Sequence, residues 1–174
     1  MIEPNFVPIT KDNINLYLNA LNKIVFAYKS YLFDDYLFCK FGKDGFYSLI
    51  LEKSPYFWVI KSGEDFAGFV FLDEFTGNDY CLHSAEISVC FLPKFWGKFT
   101  RLTGERFFKH CFKKLKLVKI KACIYPENNR VRGLLKDCGF KFEGLLRAQT
   151  IREGKLQDIE IFGLINPNYA QNIT

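Results

Sequence analysis

From Ala85 to Gly139 the apolar residues change period three times, and that switching limits the fold more than any other feature of the chain. Ile87, Val89 and Phe91 alternate as a strand, about Ile87–Leu92, closed by Pro93. After a Trp96-Gly97-Lys98 turn, Leu102, Phe107, Phe108, Cys111, Phe112 and Leu115 fall on one helical face, predicting a helix from about Leu102. Lys119–Tyr125 alternates again, with Ile120, Ala122 and Ile124 on one side. Asn128 or Asn129 then caps a helix carrying Val131, Leu134, Leu135 and Cys138, and Gly139 is a natural stop. Strand, helix and strand in that order demand a parallel pair with a right-handed crossover.

Two hairpin signals add antiparallel partners. Tyr56–Ile60 and Phe66–Leu72 flank Ser62-Gly63-Glu64-Asp65, and about Gly144–Ile151 and Gln157–Leu164 surround Arg152-Glu153-Gly154-Lys155. A strand at Phe6–Ile9 leads to Thr10-Lys11-Asp12-Asn13, whose Thr or Asp caps a helix through Leu16, Leu18, Leu21, Ile24 and Val25. Tyr28 to Tyr47, rich in rings, reads as short helices with a wet and a dry side. The expectation is an α/β (α+β) fold: a mixed sheet with helices packed on it.

The 174 residues contain no internal repeat or low-complexity linker, so one domain over 1–174 is expected. A composition 49% hydrophobic and 25% charged excludes a disordered or fibrous chain. The cysteines, Cys39, Cys81, Cys90, Cys111, Cys123 and Cys138, show no CxxC spacing, and only His83 and His110 could join them in a metal site. Several lie in apolar stretches, so reduced buried thiols in the cytoplasm are expected, with no metal. Met-Ile-Glu-Pro begins no signal peptide, and no apolar run approaches the ~20 residues of a membrane span. A net charge of +5, densest at Lys113, Lys114, Lys116, Lys119 and Lys121, follows a helix into a strand and favours a solvated surface over a nucleic-acid footprint.

The segments AEISVCFLPKFWGK, KIKACIYPENNRVRGLLKDCGFKFEGLLR and GKLQDIEIFGLI together resemble the GNAT superfamily of acyl-CoA-dependent N-acyltransferases. The likeness covers about Ala85 to Ile165 and is nearest to the Rim-type branch that acetylates ribosomal-protein N-termini, with relatives acting on polyamines or antibiotics. Its most specific part is P-x-N-N, the helix after it, G-F, E-G, L-R and Asp158. The resemblance implies a single-domain, mostly antiparallel sheet with helices on both faces. It also implies a splayed parallel pair, 87–92 and 119–125, holding acetyl-CoA. Splayed strands expose unpaired N–H and C=O groups to an extended amide chain, and a loop entering a helix offers backbone donors to a pyrophosphate. Val89, Cys90, Phe91, Leu92, Trp96, Gly97, Lys98, Phe99, Thr100, Arg101 and Asn128 are the cofactor-binding residues so implied.

The chain departs from the family's phosphate loop, Gln/Arg-x-x-Gly-x-Gly/Ala, whose small residues let backbone approach phosphate. Trp96 stands at the Gln/Arg position, Phe99 at the first small residue and Arg101 at the second. Either Arg101 and Lys98 supply charge there, or the grip on coenzyme A is weak. A rival register on Arg101 and Gly104 would start the helix too late. Where relatives carry a Tyr or Ser acid for the leaving thiolate, the matching positions hold Leu135 and Val131, which cannot donate. Cys138, nearby, reads as core.

Glu86 is the candidate catalytic base, at the position where relatives place an acidic residue facing the acceptor; a plain strand-edge role is the alternative. Asp34 and Asp35 read as solvated helix caps over cation recognition, His110 as exposed, and Asp158 as structural or substrate-facing. The expected function is transfer of acetyl from acetyl-CoA to a primary amine (a protein N-terminus, polyamine or small molecule), in a monomer or homodimer without membrane or nucleic-acid partners. Two alternatives stand: a non-catalytic binding module of this fold with a degenerate phosphate loop, and an acyltransferase acting on nucleic-acid-associated amines.

Overall fold

The computed structural model describes residues 3–41, 46–78 and 81–169. The elements run β1 (Pro4–Pro8), α1 (Ile14–Leu32), α2 (Asp35–Phe41), α3 (Phe46–Lys53), β2 (Phe57–Ser62), β3 (Asp65–Asn78), β4 (Cys81–Phe91), α4 (Lys98–Lys113), β5 (Lys119–Ile124), α5 (Asn129–Asp137), β6 (Lys141–Arg152) and β7 (Lys155–Ile165). The seven strands form one sheet in the order β1-β2-β3-β4-β5-β7-β6. Only β4 and β5 pair in parallel, as the strand–helix–strand pattern required.

The sheet separates two cores. On one face Ile60, Val70, Ala85, Ile120, Ala122, Ile124 and Phe162 meet Phe107 and Cys111 of α4 and Leu135 of α5. On the other, Val59, Phe69, Phe71 and Cys90 meet Leu21 and Ile24 of α1 and Leu49 and Ile50 of α3. The period-2 alternation of each strand sends neighbouring residues to opposite faces and so feeds both layers.

Several sequence expectations move. Asn13, not Thr10 or Asp12, stands at the N-cap position of α1; its Oδ1 accepts from the Thr10 N–H at 2.9 Å, while Thr10 Oγ1 accepts from the Asp12 N–H. α1 runs to Leu32 through a kink at Tyr28 (φ −122°, ψ 18°), so the wet-and-dry stretch begins inside a long helix. Residues 42–45 of that stretch lie outside the described residues, as does the side chain of Cys81. The hairpin strands are longer than their sequence signals, with β3 and β4 paired from Gly68↔Phe91 to Asn78↔Cys81 through two register shifts. Such bulges break the alternation that marks a strand in sequence. Cys39, Cys90, Cys111, Cys123 and Cys138 are free thiols. Among the described residues no helix is long and apolar enough to cross a membrane, and no cluster of three metal-ligating side chains occurs.

Candidate active site

The parallel pair is short. It holds only at Ser84↔Lys119, Ala85↔Ile120 and Glu86↔Lys121. Beyond it β4 stays with β3 (Val89↔Val70, Phe91↔Gly68), while β5 stays with β7 (Ala122↔Phe162, Ile124↔Glu160). The facing edges of 87–91 and 122–124 are therefore released from each other, leaving backbone donors and acceptors unpaired between them. Trp96 sits at the open end, its Nε1–H donating to the Phe91 carbonyl at 3.1 Å. Behind the splay lies a hollow of ≈ 50 Å³, walled by Ile87, Val89 and Phe91 of β4, Thr100, Thr103, Gly104 and Phe107 of α4, Val131, Leu134 and Leu135 of α5, and Cys138 at its C-cap. Its threonine hydroxyls donate elsewhere, Thr100 to Phe95 O and Thr103 to Phe99 O, so the wall is apolar.

The link from β4 to α4 is tighter than the sequence suggested. A 3-10 turn over Pro93–Phe95 is followed by Trp96 and by Gly97 as the N-cap of α4. Helix therefore begins at Lys98 rather than Leu102. Gly97 permits this with φ 92°, ψ −122°, a conformation that disfavours any side chain. The first intrahelical bond is Arg101 N–H to Gly97 O at 3.0 Å, which leaves the amides of Lys98, Phe99 and Thr100 as the helix's free donors. Phe99 does not crowd them: its ring packs on Phe95 and Phe91, with centroids 5.2 and 6.4 Å apart. Arg101 is engaged by Asp137 of α5 at 3.1 Å, a half-exposed pair of small energetic weight. Lys98 is exposed beside the free amides.

Across the splay, Asn128 Oδ1 accepts from the Val131 N–H at 3.3 Å and caps α5, as expected. That cap sets Arg130 in the first turn, where its guanidinium lies over the Trp96 ring, 3.6 Å from the centroid. Nothing in the sequence marks Arg130 as different from Arg132. Yet Arg132 is turned the other way, into a two-pronged pair with Glu160 at 2.9 Å on each oxygen.

Glu86, the last residue of β4 in the parallel pair, shares with Cys90 the sheet face on which α1 and α3 lie. Its Oε2 accepts a hydrogen bond from the Cys123 thiol at 3.2 Å. Burial pushes its carboxyl above the usual range, the Cys123 bond pulls it back, and the charge of Asp73, directly opposite on β3, pushes it up again. Burial also raises Asp73, despite the Lys53 ammonium 3.0 Å away, and the Cys123 thiol is pushed up to about 12 by burial and by Glu86.

Asp34 and Asp35 do different work from cation recognition. Asp34 accepts from the Leu37 N–H at 2.8 Å, a cap, and also from the Thr150 hydroxyl. Asp35 accepts from the N–H groups of Glu153 and Gly154, both at 2.9 Å, clamping the β6–β7 turn onto α2. Arg152 fastens the same hairpin by donating to Ser30 O, Glu127 and Gln157 and by stacking on Tyr125 at 4.1 Å. Asp158 takes the Ala148 N–H at 2.7 Å in a β6 irregularity where Ala148 has φ 50°. His110 is exposed, with one ring face near Trp58 and Phe107.

The structure thus gathers Val89, Phe91 and Thr100 at the hollow, with Trp96, Gly97 and Lys98 in the turn that opens α4 and Asn128 at the N-cap of α5. Cys90 and Leu92 put their side chains into the opposite core, so only their backbone belongs to the cleft edge. Phe99 packs half-buried against the core, and Arg101 is a helix-to-helix tie. Cys138 packs against the core, as its place before Gly139 suggested, and also lines the hollow. Sequence reasoning missed Arg130, Cys123 and Asp73. The last two were readable only as strand neighbours of Glu86.

The profile of the acetyltransferase (GNAT) domain family matches residues 34–141, more than half of the chain. An uncharacterized N-acetyltransferase p20 of Bacillus licheniformis is 33% identical over 104 residues, 59% of this chain and 55% of the relative. The aligned stretch therefore spans about half the length of that curated relative. In three dimensions the chain is similar to spermidine N-acetyltransferase from Vibrio cholerae in complex with CoA and spermine (TM-score 0.71, 22% identity, 96% of this chain and 98% of that one). It is likewise similar to Mycobacterium smegmatis RimJ in complex with CoA-disulfide (TM-score 0.73, 19% identity, 97% and 84%). At those identities the two structures share the fold.

Proposed function

The chain belongs to the GNAT acetyltransferase family, and from that premise we propose that it moves an acetyl group from acetyl-CoA to a primary amine reaching the cleft from the Glu86 face. The observation that carries this is the end of the β4–β5 pairing at Glu86↔Lys121, beside a helix whose first three amides are free. The released edge of β4 suits the amides of a pantetheine arm, and the apolar hollow suits its methylene groups. The Lys98, Phe99 and Thr100 amides would receive phosphate, with Lys98 and Arg130 as the flanking cations. Phe99 and Arg101, which stand at the loop's two small-residue positions, are spent on the core and on Asp137, which supports retained binding over a non-catalytic module.

Bound acetyl-CoA supplies a thioester carbonyl as the electrophile. Glu86 then serves as the acceptor of the amine proton, because burial and Asp73 make its carboxylate more basic than a surface glutamate. Val131 and Leu135 offer no proton to the departing sulfur, and none is required of them, since a thiol pKa of ~8.5 makes thiolate a tolerable leaving group. Free thiols and the need for acetyl-CoA fit a reducing, cytoplasmic setting.

For the acceptor, the similarity to spermidine acetyltransferases supports a polyamine, and the RimJ likeness supports a protein N-terminus. The carboxylates of Glu86 and Asp73 side by side favour the polycationic amine. Thiol release from acetyl-CoA, measured with spermidine, aminoglycosides and N-terminal peptides, tests this. Spermidine turning over fastest is the expected result. A protein that neither binds coenzyme A nor releases thiol with any of these amines would overturn the reading.

A further inference from the structure

We infer that Cys123 is a positioning residue for Glu86, a role that rests on reading Glu86 as the base. Glu86 pairs with Lys121 at the last rung of the parallel ladder, and Cys123 is the next β5 residue on that sheet face. Their 3.2 Å contact therefore joins the two strands just where they begin to part. A glutamate has several rotatable bonds, and an untethered one would spread its carboxylate over many positions. The thiol fixes one oxygen, Oε2. Among the described residues the other, Oε1, takes no hydrogen bond. One oxygen is held and the other is free to receive a proton.

A thiol suits this task better than a stronger donor. Around Glu86 stand Asp73 and Glu74 of β3 and Lys121 of β5, with Lys53 of α3 held on Asp73 and Glu52. A cationic or hydroxyl donor on Oε2 would favour the ionised carboxylate and lower its basicity, whereas the S–H is a weak donor. Cys123 also stays protonated at working pH, because burial and Glu86 both oppose its thiolate. It acts as a donor rather than a nucleophile.

The test is the pH dependence of kcat with acetyl-CoA and saturating spermidine, for wild type, Cys123→Ala, Cys123→Ser and Glu86→Gln. Removing the donor takes away a bond to the charged form, so Cys123→Ala should raise the acid limb by about 0.5 unit and lower kcat about two- to tenfold, with the acetyl-CoA KM unchanged. Cys123→Ser, a stronger donor, should move the limb down; it carries the test alone if the alanine variant does not fold. A kcat loss without movement of the limb would mean packing only and overturns the inference, as would an unchanged Cys123→Ala enzyme. Glu86→Gln separates the two readings. If it keeps the acid limb, the base assignment fails and this one with it; if it loses the limb while the Cys123 variants match wild type, only this one fails.

Discussion

The guanidinium carbon of Arg130 lies 3.6 Å from the centre of the Trp96 ring, so the first turn of α5 reaches over the splay to the loop that ends β4. The Gln/Arg of the family's phosphate loop is a tryptophan here, and the guanidinium that lies against it belongs to the opposite helix. Arg101 is held by Asp137 and Lys94 by Asp65, while among the described residues Arg130 has no carboxylate partner.

Arg130→Ala should therefore weaken coenzyme A binding about tenfold or more, the scale of one charged hydrogen bond to phosphate. It should leave binding of pantetheine, which has no phosphate, nearly unchanged. Arg130→Lys should recover part of the loss in low salt and little of it in high salt. Calorimetric titration of both ligands reads the difference. Equal losses for coenzyme A and pantetheine would make Arg130 a prop for Trp96 instead.

Gly97 starts α4 from φ 92°, ψ −122°, with open space around the missing Cβ. The obstacle to a side chain is thus backbone strain and not a clash. Gly97→Ala should cost about 1–3 kcal/mol of stability and, by shifting the first-turn amides, weaken coenzyme A as well. Thermal melts with and without coenzyme A show both effects, and an alanine variant with wild-type melting and affinity would refute them.

Gly68 is constrained for the opposite reason. A Cβ there would lie 2.0 Å from the Cys90 carbonyl oxygen, so β3 and β4 approach more closely than any side chain allows. Gly68→Ala must push β4 sideways, with a loss of about 1–3 kcal/mol or more as for other overpacked sites. Because 87–91 is the edge that would bind the pantetheine arm, affinity should fall together with the denaturant midpoint.

Much of this architecture was legible from periodicity. Ile87, Val89 and Phe91, then Phe107, Phe108, Cys111 and Phe112 of α4, Ile120 to Ile124 and the Asn128 cap fall where alternation and capping put them, because each is a local pattern, whereas Leu102 joins neither core and Leu115 lies beyond the end of the helix. What was not legible depends on contacts between strands. Cys123 becomes a partner of Glu86 only through the register Glu86↔Lys121. Arg130 differs from Arg132 only by the direction each takes from a helix two turns and a half long. The start of α4 was set late because Lys98-Phe99-Thr100-Arg101 has no acidic or proline signal for a first turn, and Gly97 read as a turn instead of a cap. Asp34 and Asp35 looked like local caps, and one is; their bonds to Thr150, Glu153 and Gly154 span more than a hundred residues, beyond any window of sequence.

Glu86→Gln is the sharpest test of the chemistry. The folded protein holds the Glu86 carboxyl above its ordinary value of 4.5, mainly through burial, so folding favours the protonated form. A carboxyl with a raised folded pKa costs stability as pH climbs from the unfolded value through the folded one, and the cost is fully present above both. Glutamine removes that cost. The variant should match wild type in stability near pH 4 and gain on it through the weakly acid range, as chemical denaturation at several pH values would show. Turnover should move the other way. The loss of a general base typically lowers the rate about a hundredfold to ten-thousandfold, and the decline of wild-type rate at acid pH, where Glu86 takes up a proton, should vanish with the carboxyl. A variant that gains stability as described yet turns over within about threefold of wild type, well under that range, would show that burial at Glu86 belongs to the fold alone. The amine proton would then leave through water, and positioning in the cleft would account for the rate.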